Sequence, residues 1–395
     1  MGARRPPARL DSLAIDGDRI SARLRVGDRD HELAYRVAGV PLAPRYEPFL
    51  VAALPIAMRA ASSLSVPEPV SPRLLDSLPV AQEILATWSD PLDPIEIDAP
   101  RGSPEHDRNR GAASFFSGGV DSFYTALRNR DDLAALVHVH GFDVGLDNSQ
   151  LRERMSRSLR SAAEGLGRPL VEVEANLRET SDSYCGPWFY HGPFLGSVAS
   201  LLSGTFERIL VPATHSYSAL APLGTHPLLD RLWSTEAVEI ETDGVTGRTD
   251  KVIEISRSDV AMRHLRVCWE EDTDYNCGRC GKCARTIAAL HMVGALERCA
   301  TLPHRVPLRA LARTRVRNGI ALAAVRGNLE AAERLGAGPR LTGILRRVYR
   351  RGYIYLHLKP TEIGPFPRGW RAIGRAERAI RTRVRARRAL AARTR

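Results

Sequence analysis

Lysine is nearly missing from this chain of 395 residues. Only Lys251, Lys282 and Lys359 occur, and the other 54 basic residues are arginine. So skewed a ratio reflects coding bias as much as selection for phosphate contacts, and the net charge of +12 does not by itself point to nucleic acid. The excess is also confined to one end. Residues 340–395 carry 17 Arg or Lys against Glu362 and Glu377, and the other 339 residues sum to −3. This tail reads first as a solvated surface segment, with an anionic partner such as nucleic acid as the alternative.

Long hydrophobic runs are lacking as well. The start, MGARRPPARLDSLAIDGD, is basic but has no apolar run of about 7–15 residues of the kind a secretory signal needs. The most apolar early stretch, FLVAALPIAMRAASSL, carries Pro55 and Arg59 and is too short to span a bilayer. These absences predict a cytoplasmic protein with no membrane segment. There are no internal repeats, and no motif fixes the oligomeric state, which leaves a homodimer open. Hydrophobic content of 44% and charged content of 26% suit a soluble chain with a sizeable core. At roughly 100–200 residues per domain, two or three domains are expected.

Residues 1–105 read as a small α+β domain. DRISARLRVGDRDHELAYRV alternates across a Gly-Asp turn like a hairpin, and two helical segments follow. DAPRGSPEHDRNRG, from Asp98 to Gly111, is rich in turn formers and reads as a linker. From Ala112 the texture changes: AASFF, LAALVHVHGFDV, PLVEVEAN and RILVPAT read as strands separated by helices. Residues 112–260 therefore predict an α/β domain, a mainly parallel sheet with helices on both faces. KVIEIS reads as one further strand. Residues 261–300 form a cysteine-rich lobe, and 301–395 a basic helical extension.

FFSGGVDSFYTAL joins the first of these strands to a helix. No lysine follows its glycines, which excludes the GxxxxGK[ST] phosphate loop. Glycines still let backbone N–H groups approach an anion, Ser117 and Ser122 add hydroxyls, and the helix start favours negative charge. Asp121 would repel a bare phosphate, so it either orients the loop or helps hold a Mg²⁺ ion that bridges phosphates.

SGGVDS resembles the SGGxDS signature of the PP-loop ATP pyrophosphatases, the adenine nucleotide alpha-hydrolase-like superfamily. The resemblance implies cleavage of ATP between its α and β phosphates. It also implies adenylation of a carboxylate, amide or carbonyl oxygen. Ser117, Gly118, Gly119, Val120, Asp121 and Ser122 would cradle the pyrophosphate portion. Gly141, Phe142 and Asp143, after the second strand, would border the adenine. Lys251, placed as related enzymes place a phosphate-facing lysine, is a candidate catalytic residue beside Ser117 and Asp121; an ordinary surface lysine is the alternative.

Cys268, Cys277, Cys280 and Cys283 stand in C-x8-C-x2-C-x2-C spacing. Four thiolates suit a tetrahedral, closed and hence structural Zn²⁺ site, with an iron–sulfur cluster as the alternative. The loop followed by this cysteine pattern is similar to the 7-cyano-7-deazaguanine synthase family over residues 112–300. That implies ATP-dependent C–N ligation of a small-molecule or protein-borne acid with ammonia or an amine. The PGRN-type and YPDCRPEF-type segments of that family are absent, and WFYHGPF and GTHPLLDRLWSTE stand near their places. The deazaguanine substrate is therefore not carried over.

His191, His226 and Asp230 are loop residues that could touch a substrate or simply hold their loops by hydrogen bonds. Trp188, Phe189 and Tyr190 read as core rather than a stacking platform. Cys185 and Cys299, outside the cluster, read as packed thiols. A tRNA-thiolating enzyme would need them to be reactive, and a non-catalytic ATP-binding module is the third reading.

Overall fold

Short apolar runs bounded by turn formers become strands of one ten-stranded sheet in the computed structural model, which describes residues 5–89, 91–102, 110–268, 270 and 275–357. The chain opens with β1 (Ala8–Asp16), β2 (Arg19–Val26) and β3 (Arg29–Val37), then α1 (Glu47–Ala60), β4 (Ser63–Ser65), α2 (Pro72–Trp88) and β5 (Glu96–Asp98). Next come β6 (Ala112–Phe115), α3 (Val120–Arg128), β7 (Leu133–His140), α4 (Ser149–Leu166), β8 (Leu170–Ala175), α5 (Leu177–Ser181) and α6 (Pro187–Leu201). β9 (Arg208–Pro212) and β10 (Glu239–Asp243) complete the sheet, and α7 (Arg248–Ile255), α8 (Asp259–His264) and α9 (Gly281–Met292) follow. The last described helices are α10 (Leu308–Ala312), α11 (Gly319–Arg334) and α12 (Pro339–His357).

The strand order is β10-β9-β6-β7-β8-β3-β2-β1-β4-β5. From β10 to β8 every pair is parallel. Taken in chain order from β6, these five strands lie 3-2-1-4-5, the doubly wound arrangement. The chain steps from β6 outward through β7 to β8, then crosses back to β9 on the other side of β6. Direction reverses at β6 and β9, and the crevice beyond their carboxyl ends is where such sheets bind ligands.

Alternation along β6 and β7 sorts the helices between two faces. Ala113, Phe115, Ala135 and Val137 face one core with α1, α2 and α6. Ala112, Leu133 and Leu136 face the other with α3, α4, α7, α8 and α9. β3 joins the parallel strands by antiparallel pairing with β8, Tyr35 opposite Ala175. Leu10, Ile20, Leu24 and Leu33 then extend the first core without a break. Its centre is α1 against α6, where α1 is buried from Glu47 through Met58.

KVIEIS is not a strand. Lys251 through Ile255 belong to α7, where Val252 and Ile255 are buried three residues apart while Glu254 is exposed. That spacing is helical, and the β-branched run only imitated a strand. The predicted linker falls partly on 103–109, outside the described residues. Residues 358–395 of the basic tail, with Lys359, also lie outside them. Its first part is α12, packed on α11 through Leu345 and Val348. No helix among the described residues is long and apolar enough to cross a membrane.

Candidate functional site

The loop between β6 and α3 sits at the carboxyl edge of the sheet, where direction reverses. Gly118 adopts φ +70°, and a Cβ there would lie 2.9 Å from Leu159 Cδ2. Gly119 caps α3 without a side-chain hydrogen bond, so the first N–H groups of the helix have no side-chain partner at the cap. Val120 is fully buried and pins this first turn to the core, leaving only its backbone for a ligand. The two serines divide the work. Ser122 Oγ donates to Gly119 O at 3.2 Å and accepts from Ser117 N at 3.3 Å, bracing the loop from inside. Ser117 is only half-buried, so its hydroxyl is the one placed to meet a ligand.

Asp121 turns away from the anion position toward α7. Lys251 Nζ lies 3.0 Å from its Oδ1 and Arg248 Nη1 lies 2.7 Å from its Oδ2. Through these two pairs Asp121 ties the first turn of α3 to α7. Burial raises the Asp121 carboxyl, but the Arg248 and Lys251 charges outweigh it and hold the group below the ordinary carboxylate range. Lys251 is fully buried; Nζ also donates to Ala213 O at the end of β9 and lies 5.7 Å from the Tyr124 ring centre.

Phe142 and Asp143 follow β7. Gly141 (φ +85°) makes the turn, and a Cβ there would lie 2.1 Å from Ala175 O. Phe142 stacks on His191 with ring centres 4.5 Å apart and on Phe194 at 4.8 Å. His191 is half-buried, and desolvation pushes its imidazole down to about 4 despite the Asp143 charge. Asp143, Asp121, Arg248 and Arg285 all act on the Lys282 ammonium, which burial holds below the usual lysine range. The loop, α7, the turn after β7 and α9 thus share one electrostatic neighbourhood.

Arg248, Lys251, Lys282 and Arg285 share this neighbourhood with Asp121, Asp143 and the Cys280 sulfur. Arg285 Nε and His215 Nε2 are buried with no hydrogen-bond partner. Buried polar groups are nearly always paired, so these two orphaned nitrogens could serve a ligand that carries hydrogen-bond acceptors. Sequence reasoning named neither Arg248, Arg285 nor His215. They stand on three different elements, and nothing in their local sequence marks them.

The four cysteines come together. All four sulfurs lie within 4.8 Å of one another, with Cys268 to Cys280 and Cys277 to Cys283 both at 3.9 Å. A tetrahedral ion with metal–sulfur bonds of about 2.3 Å needs sulfurs roughly 3.8 Å apart, so the set can hold a metal ion such as zinc. Backbone N–H groups of Glu270, Cys277, Arg279, Cys280 and Cys283 point at these sulfurs at 3.1–3.5 Å and favour thiolates. The Cys280 thiol is held below its ordinary range by the neighbouring Cys283 side chain and by backbone N–H groups, against its burial. Asn276 orders the chain around the set: Oδ1 accepts from Val267 and Cys268, while Nδ2 donates to Leu265 O and Thr301 O. The same lead-in segment touches the anion loop, Arg266 N donating to Gly118 O at 2.8 Å.

The remaining candidates do other things. Asp230 is buried and pushed up to about 7 by that burial; it accepts from His226 N at 3.0 Å and Thr242 Oγ1 at 2.6 Å, tying its loop to β10. His226 packs edge-on against Trp88. Tyr190 is core, with its hydroxyl on Ala52 O, Phe189 is half-buried, and Trp188 is exposed. Cys185 and Cys299 are buried, and burial pushes the Cys185 thiol up to about 12 and the Cys299 thiol upward as well. An open depression of about 800 Å³ lies at the opposite, amino end of β6, β9 and β10. Its charges are largely self-paired, as in Arg73 with Glu239 and Arg208 with Glu241, and it gathers no reactive group. No protein-family model, curated protein or solved structure matches this chain.

Proposed function

We propose that the chain is an ATP-dependent ligase of the PP-loop type, similar to the 7-cyano-7-deazaguanine synthase family, forming a C–N bond with release of AMP and pyrophosphate. The observation that carries the reading is the SGGVDS loop: it lies beyond β6 where the sheet reverses, with Lys251 and Arg248 locked beside it through Asp121. In this reading loop N–H groups and the Ser117 hydroxyl hold the β and γ phosphates of ATP. The surrounding cations stabilise the charge that develops on the departing pyrophosphate. Mg²⁺ arrives on the phosphates, since Asp121 is already engaged. Phe142 and Asp143 border the adenine side.

A carboxylate or amide oxygen of the acid substrate attacks the α phosphorus, and ammonia or an amine then attacks the adenylated carbon and expels AMP. Holding both reactants over one sheet edge removes much of the entropic barrier. Sulfurs packed within 4.8 Å fit one ion better than a cluster, in which the thiolates are divided among two or four irons, so the lobe is assigned Zn²⁺. Its four thiolates leave no open position, so its role is structural. The thiolation reading is weakened because both spare thiols are buried and raised.

The test is product analysis. Incubation with Mg·ATP, ammonia and a carboxylic-acid library should yield AMP and pyrophosphate with at least one acid, and Ser117→Ala should lower that rate by roughly 100-fold. Binding of ATP with no AMP formed from any acid would leave a non-catalytic nucleotide module.

A further inference from the structure

One buried arginine is fastened to the anion loop. Arg266 is only 6% exposed, and its Nε is enclosed without a hydrogen-bond partner. No hydrogen bond or ion pair among the described residues reaches its side chain. An unpaired guanidinium is costly to bury, since nothing replaces the hydration it loses. The backbone around it is nevertheless held on every side. Arg266 N donates to Gly118 O at 2.8 Å, inside the SGGVDS loop. Asn276 fixes both neighbours: Nδ2 donates to Leu265 O at 2.9 Å, and Oδ1 accepts from Val267 N at 2.9 Å. Thr301 Oγ1 donates a second bond to Leu265 O at 2.6 Å. Arg266 Cβ lies 3.9 Å from where a Gly118 Cβ would stand, and Arg266 O lies 3.6 Å from the same point on Gly119. Both glycines of the loop thus lie against this one residue. α3 begins at them: Gly119 is its cap, and no side chain bonds there. The first N–H groups of a helix favour an anion. The acid of the loop, Asp121, is taken by Arg248 and Lys251 and leaves Arg266 unpaired.

We propose that Arg266 is an anion ligand of the SGGVDS loop, its guanidinium pairing with the same polyphosphate that the first N–H groups of α3 and the Ser117 hydroxyl hold. The proposal rests on the nucleotide reading above and adds a charged ligand to it. Arginine suits the task because its planar fork meets two phosphate oxygens at once and stays charged when enclosed. It supplies the cation that a GxxxxGK[ST] loop draws from its own lysine, here from the segment that leads into the four cysteines. Asn276, beside Cys277, then couples the cysteine lobe to the loop: by fixing Leu265 and Val267 it fixes where Arg266 stands.

Calorimetric titration of the full, zinc-loaded chain with inorganic pyrophosphate, Mg·ATP and AMP tests this. Arg266→Met should weaken pyrophosphate and Mg·ATP binding roughly tenfold or more, the loss of a charge-assisted pair, and shift AMP binding far less. Arg266→Lys, which keeps the charge without the fork, should recover part of that affinity. Melting of the ligand-free protein separates a ligand from a structural arginine. Replacing an unpaired buried charge by an apolar side chain relieves the fold, so ligand-free Arg266→Met should melt no lower than the unaltered chain. Added pyrophosphate should raise the melting temperature of the unaltered chain and leave that of Arg266→Met nearly unmoved. Unchanged pyrophosphate affinity in a folded, zinc-loaded Arg266→Met or Arg266→Lys and Arg266→Met together, with Ser117→Ala weakened, would overturn the assignment and leave the nucleotide reading standing. An Arg266→Met chain that fails to fold, or melts well below the unaltered one, would show an arginine the fold itself needs and would overturn it too. Absence of ATP and pyrophosphate binding by the unaltered chain would overturn both readings.

Discussion

His138 lies within β7, enclosed on all sides, with Nδ1 donating to Phe116 O at 3.2 Å just before the anion loop begins. Burial, then the neighbouring His140, push its imidazole down to about 3. In the unfolded chain it titrates near 6.5, so between these values the unfolded state binds a proton that the native state refuses. Its contribution to stability is therefore complete above about pH 6.5 and is lost as the pH falls toward 3. His191, held at about 4, acts in the same direction. Urea midpoints measured from pH 7 to pH 5 should fall steeply, and His138→Asn should remove up to about 1.4 kcal/mol per pH unit of that slope. Parallel profiles for the two proteins would show that His138 is protonated in the native state. At this scale the loop's place was legible: SGGVDS reads as a glycine turn from a strand into a helix, and it joins β6 to α3 with Gly118 at positive φ. Arg248, Arg285 and His215 were not, because their meaning lies in what the fold sets beside them. Ser122 was half legible, since its place in the motif does not reveal that its hydroxyl is spent inside the loop.

Elements carry the four-cysteine set, which can hold a metal ion such as zinc. Cysteine spacing alone marked it, because x2 intervals leave short loops that can fold several thiolates around one ion. The chain should bind one Zn²⁺, and Co²⁺ in its place should give the intense visible absorption of tetrahedral thiolate ligation. Cys280→Ser removes both a ligand and the cap of α9. It should abolish tight metal binding and lower the melting temperature by on the order of 5–10 °C, the shift expected for a few kcal/mol in a chain of this size. Retention of a full equivalent of metal by Cys280→Ser would show that the four sulfurs do not act as one set. Other elements were harder to read, for identifiable reasons. β1 has a bulge at Ser12 (φ +52°) that breaks its alternation. β10 is an edge strand of mostly charged residues, EIETD, whose only paired neighbour is β9. In α7 a β-branched run met a helix because Val252 and Ile255 had to face the same core.

For the whole molecule, the decisive joint is β3 with β8. It makes the N-terminal strands part of the sheet that carries the anion loop, and the core under α1 and α6 runs across it from Leu10 and Leu33 to Val198 and Ile240. β7 contributes to both faces, so weakening the N-terminal half should be felt at the site. Leu33 is fully buried in β3, and Leu33→Ala should cost about 3 kcal/mol. Two reporters separate the halves once Trp188, Trp233, Trp269 and Trp370 are replaced by Phe: Trp88 lies in α2 and packs against His226, while metal release to a chromogenic chelator reads the lobe beyond the sheet. If the sheet unfolds as one unit, Leu33→Ala shifts the tryptophan and metal-release midpoints in urea together. A tryptophan transition that moves to lower urea while metal release stays in place would mean that the β3–β8 joint parts first. The N-terminal strands would then be an appended module rather than a wall of the functional core.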